Sequence, residues 1–161
     1  MKPLQDLTTL KPLKPKRTWI LIADGARARI VVNESPGAGI EPVYPYVFAA
    51  SSAPARDYGA DKPGRTHSPG GARQTSYQPR EDWHAFEKGK FATEIAQILN
   101  RQAEAHAFDQ LVLVAPPKIM GILRAALKGP VGSRVVAEVV KDLTHLSDHE
   151  LKPHLADVIR L

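Results

Sequence analysis

The sequence predicts an α/β fold: a mixed β-sheet of about five strands with three helices packed on it. Three observations predict it. Thr18-Trp19-Ile20-Leu21-Ile22-Ala23 and Leu111-Val112-Leu113-Val114-Ala115 are short and almost wholly apolar, the pattern of strands covered on both faces. Between them, from Trp83 to His106, the apolar spacing lengthens to the period of a helix. The elements then follow in the order β-β-β-loop-α-β-α-β-α, which makes a sheet with helices laid on it.

Lys11-Pro12-Leu13-Lys14-Pro15 cannot form an ordinary helix, so residues 1–17 read as a flexible basic leader before one domain spanning 18–161. The first strand, 18–23, is closed by Asp24-Gly25, and Ala28 to Val32 follows at hairpin distance. That gives an antiparallel pair with its turn at Asp24 to Arg27. Val43 to Phe48 is a third strand, and Pro45 confines it to an edge or a bulge. On the long helix, Phe86, Phe91, Ile95, Ile98, Leu99 and Ala103 share one stripe, with Asp82 as N-cap and Gly89 loosening the first turns.

Pro116-Pro117 opens the next helix, with Ile119, Met120, Leu123 and Leu127 as its buried stripe and Gly129-Pro130 as its stop. Arg134 to Val140 reads as a further strand. Ser147-Asp148-His149-Glu150 is a capping box, Leu146 and Leu151 a hydrophobic staple, and Pro153 is placed to break or kink that last helix.

Between Phe48 and Trp83 lie 34 residues without a single Val, Ile, Leu, Met, Phe or Trp. A loop of that length inside a domain is uncommon and usually functional or disordered. Its charge is also distinctive. The net +5 of the chain is mostly the leader, where five basic residues and one acid give +4. The remaining 144 residues carry only +1, yet Arg56 to Arg80 alone carries +3. Local basic segments of this kind bind phosphate backbones or anionic surfaces.

The candidate site residues are accordingly those of the loop: Asp61, Gly64, Arg65, Gly70, Gly71 and Arg73. Gly64-Arg65 and Gly70-Gly71-Ala72-Arg73 combine free backbone N–H groups with guanidinium, the parts of an oxyanion contact. They match neither a P-loop nor a dinucleotide fingerprint. Secondary candidates are Lys118, at a helix N-terminus where anions are favoured, Arg124 nearly two turns on, and Arg27 in the hairpin turn. Arg27 and Arg29 alternate onto one strand face, where they can meet an acid.

No catalytic constellation emerges. Ser68, Ser76, His67 and Asp61 are near one another in sequence but lack a nucleophile elbow. His145, His149 and His154 straddle a helix start and a proline rather than sharing a helix face, so no metal is expected, and no cofactor. Zero cysteines exclude disulfides and suit a reducing cytosol. No apolar run approaches the ~18–20 residues of a membrane span, and the leader lacks the apolar segment of a secretory signal. The chain therefore reads as cytoplasmic and as a binding protein rather than an enzyme.

Several segments together resemble one family. Trp19 to Arg29, Asp61-Lys62-Pro63-Gly64-Arg65, Phe91-Ala92, Leu111 to Pro117, Gly121, Leu123-Arg124 and Lys141-Asp142-Leu143-Thr144 resemble, in that order, the bacterial host attachment proteins. The resemblance covers about 18 to 160. That family in turn looks like the middle domain of archaeal and eukaryotic peptide-chain release factors, which implies a release-factor-like fold of RNase H-like topology. In that domain a loop between a strand and a long helix carries a Gly-Gly-Gln tip that promotes peptidyl-tRNA hydrolysis.

Here Gly70-Gly71 and Gln74 occupy the matching loop, but Ala72-Arg73 stand between them. Loop position and composition carry over; the catalytic tripeptide does not. The resemblance implies a protein indirectly linked to attachment, whose basic Gly-rich loop meets RNA, the ribosome or another acidic protein surface. The alternative is a ribosome-associated release or rescue factor, with Gln74 as its catalytic residue.

Overall fold

The computed structural model describes residues 14–50 and 77–161, with side chains described outside 77–82. Five strands form one mixed sheet: β1 (Thr18–Ala23), β2 (Arg27–Asn33), β3 (Glu41–Ala49), β4 (Gln110–Val114) and β5 (Val135–Val139), in the order β3-β2-β1-β4-β5. β1 pairs antiparallel with β2 and parallel with β4; β2–β3 is antiparallel and β4–β5 parallel. Among the described residues the helices are α1 (Tyr77–Glu104), α2 (Pro117–Ala126), the single turn α3 (Pro130–Arg134) and α4 (Asp148–Leu155).

The apolar continuity of β1 and β4 is explained by a core on each face of the sheet. Side chains alternate across a strand. Trp19, Leu21, Leu111 and Leu113 therefore enter a larger core with Phe91, Ile95 and Leu99 of α1 and Met120 and Leu123 of α2. Ile20, Ile22, Val112 and Val114 enter a second core with Leu143 and with Leu151 and Leu155 of α4. Each large aliphatic side chain so buried stabilises the fold by about 1.5–3 kcal/mol relative to exposure. Trp19 stacks tilted on Phe108, centroids 4.9 Å apart, and on Tyr46 at 5.6 Å, tying β3 to the larger core.

β3 is an edge strand, as Pro45 required. Ser147 caps α4, its side chain accepting the Glu150 amide at 3.2 Å, as the capping box predicted. Two expectations are corrected and two are narrowed. α1 begins at Tyr77, so Asp82 lies inside the helix rather than capping it. Phe86 is 65% exposed and does not join the buried stripe; the core side of α1 starts at Phe91. Pro153 does not end α4, which runs on to Leu155. α2 ends at Ala126, just before Gly129-Pro130, and that pair also opens α3, because a proline suits the first helical turn.

Candidate functional site

In open α/β sheets, ligands meet the crevice beyond the carboxyl ends of parallel strands. Here that edge collects the Asp24 turn after β1, Pro116-Pro117-Lys118 after β4, and Lys141 to Thr144 after β5. Asp24 organises its turn. Its Oδ1 accepts the amides of Ala26 at 2.7 Å and Arg27 at 2.6 Å, and its own amide donates to the Arg27 carbonyl at 2.8 Å. Oδ2 lies 2.9 Å from the Thr144 hydroxyl, which is also 2.7 Å from Asp142 Oδ1. One hydroxyl proton serves these two carboxylates in turn. Burial pushes the Asp24 carboxyl up, but the Ala26 and Arg27 amides, the Thr144 hydroxyl and the Arg27 charge together outweigh it and hold it below its ordinary value.

Arg29 fixes this edge from the smaller-core face. Its Nη1 donates to the Thr144 carbonyl at 3.0 Å, Nη2 to the Leu146 carbonyl, and Nε to Asp148 Oδ1 at 3.3 Å. A planar guanidinium suits three acceptors spread over one loop. The loop after β5 is thus held to β2, and Thr144 to Asp24.

The same edge holds the point where the chain leaves β3, and α1 passes it. Ala50 donates to the Ala26 carbonyl at 2.7 Å, so the chain leaves β3 beside the Asp24 turn. α1 begins at Tyr77 and passes the same turn about three helical turns later: a Cβ on Gly25 would lie 2.6 Å from Lys88 Cγ. α1 spans 28 residues, roughly 42 Å at helical rise, while the strands are no longer than about 30 Å.

Asp61, Gly64, Arg65, Gly70, Gly71, Arg73 and Gln74 lie outside the described residues. Arg27 and Lys118 are both exposed at the carboxyl edge, brought there by adjacent strands. Arg27 reaches Asp24 at 3.9 Å with its side chain still 64% exposed. The Lys118 side chain makes no hydrogen bond or ion pair with the described residues, and it occupies a helix turn whose field favours anions. Arg124 stands apart. It is ion-paired with Glu138 of β5, and that hydrogen bond and charge raise its pKa further.

Sequence reading did not single out Asp24, Asp142 and Thr144 as a cluster. Their contacts join residues about 120 positions apart, and only the joint presence of the Asp24–Arg29 and Lys141–Thr144 strings hinted at them. Among the described residues, no group of three or more His, Cys, Asp or Glu could hold a metal ion. No described helix is long and apolar enough to cross a membrane.

The arrangement defines a mixed α/β protein with an ordered polar edge, beside which the chain leaves β3 at Ala50. The chain belongs to the family described as protein required for attachment to host cells, whose model matches residues 19–155. No curated protein matches it.

Proposed function

We propose that this host attachment family member is a non-enzymatic cytosolic protein that contacts an acidic surface, RNA or ribosomal, through its basic Gly-rich segment, and that its link to attachment is indirect. The observation that carries this reading is the placement of charge. Outside the leader the chain carries +1, while Arg56 to Arg80 carries +3. That segment follows Ala50, which lies beside exposed Arg27, and leads into α1, whose exposed Lys88 passes the same turn, with Lys118 on the same edge. Arg65 and Arg73, each next to glycine-bearing backbone, are the contact residues in this reading.

The resemblance read in the sequence, Gly70-Gly71 and Gln74 in a loop between a strand and a long helix, is the ground for a second reading, peptidyl-tRNA hydrolysis with Gln74 positioning water. One assay separates them. The protein is added to ribosomes carrying peptidyl-tRNA, and co-sedimentation and peptide release are measured together. Binding without release, weakened by Arg65→Ala and Arg73→Ala, is the expected result. Release that vanishes in Gln74→Ala would establish the second reading, and neither binding nor release would refute both.

A further inference from the structure

The free edge of β3 offers a second contact surface, carried by residues other than those of the loop. Pro42 and Pro45 remove amide donors from the first half of β3. The opposite edge is also interrupted. Leu111 pairs with Val135 but Val112 with Ala137, so Val136 is an extra, exposed residue, a bulge that discourages pairing. Tyr46 to Ala49 carries neither device.

The ladder tells which groups there have no partner among the described residues. Ala50 donates to the Ala26 carbonyl, and the register continues as Arg27↔Ala49, Ala28↔Phe48 and Arg29↔Val47. Bonded and non-bonded pairs alternate in an antiparallel ladder, so Phe48 bonds inward to Ala28. The N–H and C=O groups of Val47 and Ala49 therefore point away from the sheet. Beside them a groove of about 500 Å³ separates β3 from α1, with Phe48, Phe91 and Ile98 in its lining and Glu87, Lys90 and Glu94 along α1. Neither glutamate has a hydrogen bond or ion pair to the described residues.

We propose that this edge takes an extended peptide of a partner protein as a sixth strand, with an apolar side chain in the groove and a basic one on either side of it. Backbone donors and acceptors at Val47 and Ala49 fit an extended chain and no compact ligand. Every second side chain of an added strand faces the groove. Glu87 and Glu94 are two helical turns apart, roughly 10.5 Å. Groove-facing positions i and i+4 of a strand are about 13 Å apart, within reach of two lysines around a central leucine. Glu87 and Glu94 flank the groove at its two ends, so each basic side chain of the peptide meets one carboxylate.

The test uses the isotope-labelled full chain and two end-blocked heptapeptides, Thr-Lys-Thr-Leu-Thr-Lys-Thr and the same with Glu for Lys. The Lys peptide should shift the Val47 and Ala49 amide resonances and slow their exchange at least tenfold, while the exchange of the Phe48 amide, already bonded inward, stays the same. Val47→Pro should abolish this, and Glu87→Lys with Glu94→Lys, which disturbs no backbone, should reverse the peptide preference. Three results would overturn the proposal: no effect at those amides, equal binding of the two peptides, or Val47 and Ala49 already protected without peptide. The last would mean that a second copy or the chain itself occupies the edge. None of these outcomes bears on Arg65 or Arg73, so this proposal and the loop reading fail separately.

Discussion

Arg29 reaches three acceptors on the loop that leads into α4, and its side chain is only 21% exposed. Losing them leaves carbonyls poorly paired next to the smaller core, a cost of about 2 kcal/mol for Arg29→Ala. Arg29→Lys should recover little, because an ammonium cannot span the same fork. Urea unfolding of the two variants checks this; full recovery by lysine would contradict it. Asp24 gives a pH prediction. Its folded-state pKa lies below the ordinary 3.8, so the unfolded chain takes up the proton first as pH falls. Its contribution is fully present above that ordinary value and is lost as pH drops through the folded-state value. The stability difference between the protein and Asp24→Asn should thus be constant above about pH 5 and shrink below about pH 4. A difference that stays flat down to pH 3 would show that the carboxylate charge is irrelevant. The turn itself was legible, since Asp-Gly between two strand patterns is a local signal. Its bonds to Thr144 were not, since nothing local in either segment specifies the other.

At the level of elements, the approach of α1 to the β1–β2 turn is set by the missing side chain at Gly25. A Cβ there would lie 2.6 Å from Lys88 Cγ and 3.2 Å from Lys88 Cβ, too close for a rigid fit. Gly25→Ala should cost about 1–3 kcal/mol through overpacking, and clearly less in a Lys88→Ala background. Equal costs in both backgrounds would mean that the helix does not approach the turn this way. Ser147→Ala should cost about 1 kcal/mol by removing the α4 cap. That cap was legible because its partners are three residues apart. Phe86 was misread for the complementary reason. Helical periodicity continues through it, but burial also needs a sheet underneath, and a sequence window does not report where the sheet stops. The ion pair of Arg124 was not legible because Glu138 lies on another element.

At the scale of the molecule, one sheet serves two cores, and β4 contributes to both. Leu113→Ala should cost about 2–5 kcal/mol and lower the urea midpoint without changing the slope. The α/β class and the central position of 111–115 were legible because fully apolar strands admit few other placements. Of the candidate site, Arg27 and Lys118 stand at the carboxyl edge, while the loop residues lie outside the described chain. The loop reading rests on charge, and charge has a direct test. Binding to purified ribosomes is measured against salt concentration for the protein and for Arg65→Ala with Arg73→Ala. The account predicts weaker binding by the double variant and a log–log salt slope shallower by about 1–2, as two phosphate contacts are removed. Identical affinity and slope for the two proteins would contradict it.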